Sequence, residues 1–158
     1  MNAKNKSFAL PLTFIGIMFF AIGFALGINS LLVPVLQGSL GISNAASYLI
    51  IAATFIPFLV FGYPAGLTIK AIGYKRTMSL SFIIFAVAFY LFILSADYKS
   101  FSLFLLASFI SGAANAYLQA SVNPYITILG PLESAAKRIS IMGICNKLAW
   151  PIPSIFIV

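Results

Sequence analysis

The sequence predicts an all-α protein, a polytopic bundle of transmembrane helices. Two observations predict it. The first is composition: of 158 residues only nine are Lys or Arg and two Asp or Glu, 62% are hydrophobic, and the mean hydropathy is +1.11. A soluble domain carries about a quarter charged residues, because nearly half of its surface is hydrated polar area. A charged share of 7% cannot coat such a surface, which excludes a soluble enzyme. The second is the distribution of charge. No charged residue lies between Lys6 and Lys70, and one crossing needs roughly 20 apolar residues, so that stretch holds two crossings.

The spans follow in order. The first is expected near Phe8–Leu36 and the second near Ala45–Ile69, parted by the polar, Gly-rich break Gln37–Asn44. Ser43 and Asn44 are both candidate N-caps for the second helix. Lys70, Lys75 and Arg76 close it. Thr77–Ala96 is the third span, ended by Asp97-Tyr98-Lys99, and Ser100–Leu129 is the fourth, stopped by Gly130-Pro131. Ile139–Val158 is the fifth, with no polar flank after it. The basic start, Lys4 and Lys6, resembles that of a secretory signal peptide. The apolar run is too long for an h-region of roughly 7–15 residues and no small-residue cleavage site follows, so the first span reads as a retained helix.

Charge also sets orientation. Segments 1–7, 70–76 and 130–138 hold Lys4, Lys6, Lys70, Lys75, Arg76, Lys137 and Arg138, whereas segments 37–44 and 97–100 hold only Lys99. Short basic loops stay in the cytoplasm. The N-terminus is therefore expected inside, in a multi-pass membrane protein. The net charge of +7 is a topology signal and implies no nucleic-acid partner. With no His, imidazole acid–base chemistry and His metal sites are absent, and the single Cys145 forms no intrachain disulfide. No cofactor and no metal are expected.

Helices associate in lipid through small residues. The first span offers Gly16, Gly23 and Gly27, and the fourth offers Ser108, Gly112, Ala116 and Ala120 at strict four-residue spacing, the better packing signal. Pro57 and Pro64 in the second span and Pro124 in the fourth each remove a backbone donor and bend a helix. Such kinks suit both transporters and purely structural bundles.

Polar residues at depth carry the functional reading. Asn115, Gln119 and Asn123 recur every four residues, within an arc of about 80° on one helix face. Three carboxamides are costly to expose to lipid, so they face other helices or a wet cavity. Interhelical hydrogen bonding and contact with a neutral, polyhydroxylated ligand both fit, since an amide donates and accepts. Gly143, Asn146, Lys147 and Trp150 share one face of the fifth span, and Lys147 is the sole charge inside any span. It stands nine residues after Arg138, about 13 Å along a helix, and neither acid lies at depth. An intramembrane cation is a functional candidate, with a polar stripe, a substrate or an acid outside this chain as its partner. Trp150 could cover the apolar face of a sugar ring or anchor at the lipid interface. In the first span Asn29 is the candidate, since the hydroxyl of Ser30 is easily satisfied within its own helix.

Several segments together resemble one family. They are Gly27-Ile28-Asn29-Ser30-Leu31-Leu32-Val33-Pro34, Pro64-Ala65-Gly66 with Ile72-Gly73-Tyr74-Lys75-Arg76, Leu118-Gln119-Ala120-Ser121-Val122-Asn123-Pro124-Tyr125, and Leu129 through Ala136. Arg138-Ile139-Ser140-Ile141-Met142-Gly143-Ile144-Cys145-Asn146-Lys147 completes the set. They look like the sugar branch of the major facilitator superfamily, the fucose–galactose–glucose transporters, especially the bacterial glucose/galactose type. The resemblance implies a fold of twelve helices in two six-helix halves with the sugar between them. The chain would then be helices one to five, an incomplete N-terminal half whose C-terminal half lies elsewhere. It also implies hexose uptake by alternating access, coupled to a proton or to sodium.

Two departures bear on that implication. The branch's L-fucose:proton symporter has an aspartate after the first-helix asparagine and a glutamate in the fourth helix, where Ser30 and Gln119 stand here. Neither exchanges a proton at physiological pH, which leaves sodium coupling, a carboxylate elsewhere or facilitated transport open. In the superfamily loop Gly-x-x-x-Asp-Arg-x-Gly, Gly66 and Gly73 remain while Lys70 and Ala71 replace Asp-Arg, so the cytoplasmic latch that the family builds on that acid must differ or be missing.

The expectation is thus a transporter rather than an enzyme, with Asn29, Asn115, Gln119, Asn123, Asn146, Lys147 and Trp150 along the substrate path. A transport-inactive remnant or structural bundle is the alternative. A membrane-embedded enzyme would need an acid or nucleophile cluster near the interface, which the sequence lacks.

Overall fold

The computed structural model describes residues 9–40 and 43–157. Lys4, Lys6 and Phe8, the break residues Gly41 and Ile42, Val158 and the side chain of Asn29 lie outside the described residues. Helices α1 (Ala9–Leu40), α2 (Asn44–Asp97), α3 (Phe101–Ile128), α4 (Ala135–Ala149) and α5 (Ile152–Ile157) make up nearly all of it, with a 3-10 turn at Leu132–Ser134. No strand occurs among the described residues. Contacts group them into two compact units, one of residues up to Ile28 and from Asn123 onward, the other of Asn29–Val122.

In the unit Asn29–Val122, the long α2 is two legs. Its 54 residues would extend about 80 Å, more than twice a hydrocarbon core. The helix breaks at Gly73, whose φ of 81° and ψ of 166° are open to glycine and strained for other residues. The basic cluster predicts a loop over residues 70–76; the structure turns at this one residue instead. Of the two cap candidates Ser43 serves, its hydroxyl accepting from the Ala46 amide at 3.2 Å. Helix α1 runs on through Gln37, part of the expected break, and the Gln37 amide donates to the Ser47 hydroxyl at 2.6 Å, tying the end of α1 to the start of α2.

Packing in this unit rests on small residues and rings. A Cβ on Gly112 would collide with the Thr54 carbonyl and stand 3.0 Å from Cγ of the fully buried Pro57, so α3 and the first leg of α2 meet backbone to backbone. Phe61 stacks edge-on against Phe109 at 6.0 Å and tilts toward Tyr117 at 6.2 Å. The second leg joins through Phe92 and Phe104, with centroids 5.0 Å apart. Hydroxyls of Thr54, Thr68, Thr77, Ser81 and Ser95 return to carbonyls of their own helix, which hides them from an apolar surrounding.

Helix α2 ends in a Schellman motif: the Ser100 amide donates to the Ser95 carbonyl and the Lys99 amide to the Ala96 carbonyl. The left-handed position there, usually glycine, is Lys99 with φ 48°.

In the other unit, α1 and α4 run side by side in the same direction. A Cβ on Gly23 would overlap the Asn146 carbonyl, and one on Gly27 the Trp150 carbonyl, while Gly16 faces Met142 Sδ at 3.7 Å. The first-span glycines are therefore packing residues as much as the fourth-span stripe. The helical run here begins at Ala135, four residues before the expected Ile139, and is interrupted at Trp150-Pro151. Pro151 has no N–H to offer the Lys147 carbonyl, an interruption that the sequence reading did not foresee.

Two outcomes follow for stability. Gly112→Ala should destabilise the protein by about 1–3 kcal/mol, whereas Gly62→Ala, with open space around it, should change little, as read by thermal unfolding in detergent. Lys99→Gly should stabilise by about 1 kcal/mol by relieving the left-handed lysine; an unchanged or lower midpoint would contradict the motif.

Candidate functional site

The fourth-span amides lie on α3, an apolar helix long enough to cross a membrane. Asn115 is 2% exposed, and its Oδ1 accepts from Gln119 Nε2 at 3.0 Å. The i, i+4 spacing makes this contact directly. The pair leaves Gln119 Oε1 available as an acceptor on a half-buried residue. Asn123, one turn further on and in the other unit, is exposed, so the three amides do not share one environment. Pro124 follows it and lacks the N–H that the Ala120 carbonyl would otherwise receive.

The fifth-span face also divides. Asn146 Nδ2 donates to the Phe19 carbonyl of α1 at 3.0 Å, beside the Gly23 contact, so this amide ties the two helices together. Lys147 and Trp150 are exposed, with Lys147 Nζ 4.8 Å from the indole centroid, a cation–π pair. Gly143 is exposed with nothing within reach of an added Cβ.

A cavity of about 600 Å³ lies in the same unit between α1 and α4, walled by Leu12, Gly16, Phe20, Met142, Cys145 and Leu148 among others. None of the six candidate residues whose side chains are described lines it, and its walls are almost wholly apolar. A polyhydroxylated molecule would find too few hydrogen-bond partners there.

Arg138 is the residue that sequence reasoning underrated. It read as a cytoplasmic loop charge, yet it is 7% exposed. Nε donates to the Ile126 carbonyl at 3.3 Å, Nη2 to the Thr127 carbonyl at 3.3 Å, and Nη1 to the Pro131 carbonyl at 3.0 Å and to Ser134 Oγ. Ile126 and Thr127 are in the last turn of α3, which ends at Ile128 before Gly130, at φ 119°, turns the chain away, so their carbonyls have no i+4 helical amide. The guanidinium adds to the Leu129 and Ser134 amides that already reach the Ile126 and Pro131 carbonyls. The planar fork of donors matches that array where an ammonium could not. The signal available in the sequence was the Gly130-Pro131 stop eight and seven residues before an arginine.

Comparison with known proteins settles the family. Residues 13–156 match the Major Facilitator Superfamily. The chain belongs to that superfamily. It is 33% identical over 155 residues to a glucose/galactose transporter of Brucella abortus biovar 1 (strain 9-941), covering 98% of this chain and 38% of that one. It is 27% identical over 153 residues to an L-fucose-proton symporter of Escherichia coli (strain K12), covering 97% of this chain and 35% of that one. A crystal structure of a Major Facilitator Superfamily transporter, FucP, in the outward conformation superposes with a TM-score of 0.82 at 27% identity over 96% of this chain and 36% of that chain. The chain therefore spans a little over a third of the length of the relatives it matches. It is an all-α, multi-pass membrane protein with part of the major facilitator bundle, in a family of transporters rather than enzymes.

Replacing Arg138 by Lys should cost about 2–3 kcal/mol, because a point charge cannot satisfy four acceptors at once. Thermal unfolding would measure it, together with faster proteolysis in residues 129–137. An unchanged midpoint would mean that the fork adds nothing.

Proposed function

We propose that this chain is the N-terminal portion, helices one to five of twelve, of a transporter that moves a hexose-type sugar across the inner membrane by alternating access. The observation that carries the reading is the Asn115–Gln119 amide pair on α3, one member buried and the other half-buried, set in a chain whose relatives include glucose/galactose transporters and L-fucose-proton symporters. Amides bind hydroxyls by donating and accepting at once, and they do so without the desolvation penalty of a charge. Asn29, Asn123, Asn146, Lys147 and Trp150 are assigned to the path on sequence grounds. Asn146 has one further task, since its Nδ2 is engaged by Phe19.

Coupling follows from the same residues. Gln119 and Ser30 carry no titratable proton near neutral pH, so proton coupling would have to use a carboxylate of the C-terminal half; sodium coupling and uncoupled, facilitated transport are the other routes. The basic segments 1–7, 70–76 and 130–138 support a cytoplasmic N-terminus under the positive-inside rule.

Uptake of labelled hexoses into vesicles tests the reading, with the chain reconstituted alone and together with a C-terminal half, under sodium and proton gradients varied separately. Transport is expected only with both parts present. Gln119→Ala should then weaken apparent sugar affinity about tenfold, the loss of roughly 1.4 kcal/mol. Uptake unaltered by Gln119→Ala and by Lys147→Ala would overturn the residue assignment. No uptake of any hexose by the assembled protein would favour a transport-inactive bundle.

A further inference from the structure

Apart from the amides and Lys147, the strongest concentration of charge among the described residues is the turn at Gly73. Lys70 ends one leg of α2, and Lys75 and Arg76 begin the next, all within three residues of Gly73. All three side chains are exposed, and no ion pair engages them among the described residues. The acid of this unit, Asp97, stands 21 residues beyond Arg76, about 32 Å along the second leg. Nothing in the unit therefore offsets the mutual repulsion of three cations held at one bend.

The surroundings of the turn say where it sits. Each leg is apolar and long enough to cross the hydrocarbon, so the bend between them comes at the depth where the chain leaves it. Leu67, 48% exposed, and Ile72, 39% exposed, lie beside the cations, an apolar fringe of the kind that meets acyl carbons while lysine and arginine heads reach outward. A surface with this layering matches one partner in both parts: phosphate above, hydrocarbon below. We propose that the Gly73 turn is a binding surface for anionic phospholipid headgroups, with Lys70, Lys75 and Arg76 on the phosphates and Leu67 and Ile72 among the acyl chains. The inference stands apart from the sugar reading, since it uses none of those residues.

Spin-labelled phosphatidylglycerol and phosphatidylethanolamine in vesicles carrying the 158-residue chain would test it, by the motionally restricted fraction of each lipid. The chain should favour phosphatidylglycerol, and K70Q/K75Q/R76Q should weaken that preference about tenfold or more. Lys137→Gln, which removes an exposed cation of the other unit, should leave most of it. Neutralising three charges can disturb insertion, so a salt titration of the unaltered chain gives a second reading. The preference must fall as ionic strength rises. Equal retention of the two lipids, a preference that persists in the triple variant, or one insensitive to salt would each overturn the proposal. So would displacement of the lipid by millimolar inorganic phosphate, which would make the turn a site for the free ion.

Discussion

Inside a bilayer no water waits to satisfy a polar group, and the rest of this structure depends on that constraint. Hydroxyls along the spans turn back onto their own carbonyls, as Thr54 does to Ile50 and Ser121 to Tyr117. The Asn146 amide finds the Phe19 carbonyl across a helix pair, and Arg138 fills the open end of α3. Among the described residues one buried side-chain atom has no partner, Ser108 Oγ. It stands one turn before Gly112, on the stripe where α3 meets the first leg of α2, so close packing takes precedence there over hydrogen bonding.

Each unit meets that constraint with the same device. Glycine brings one helix against the carbonyls of another: Gly112 against Thr54 in one unit, Gly23 and Gly27 against Asn146 and Trp150 in the other. Contacts this near exclude a methyl group and bring Cα–H donors onto carbonyl oxygens, a modest attraction that lipid does not dilute. Bulk apolarity cannot hold helices together in hydrocarbon, because the tails are as apolar as leucine; fit does. The exposed Leu59 and Tyr63 on the first leg of α2 are, by the same logic, ordinary residues for a surface bathed in lipid.

The fold class was legible because it is written in composition and in the placement of eleven charges, nine basic and two acidic. Ser43 could be read as a cap because capping is local. The Asn115–Gln119 contact was legible for the same reason, being one helical turn apart. What escaped were contacts set by the meeting of distant segments. Asn146 and Phe19 are 127 residues apart, and nothing near either one announces the other. Arg138 looked like a loop charge because its acceptors exist only once α3 has stopped at Ile128. The turn at Gly73 was blurred by its flanking charges, which suggested a loop where a single dihedral suffices.

The interruption at Pro151 has a consequence for Lys147. Helix α4 stops at Ala149, and Lys147 falls in its last turn. Peptide dipoles aligned along a helix leave partial negative charge at that end. The lysine thus stands in the field of its own backbone, with the carbonyl of residue 147 deprived of the amide that proline lacks. A span with no carboxylate can hold an ammonium in this way: the counter-charge is spread over oxygens of the main chain, where no protonation event can switch it off.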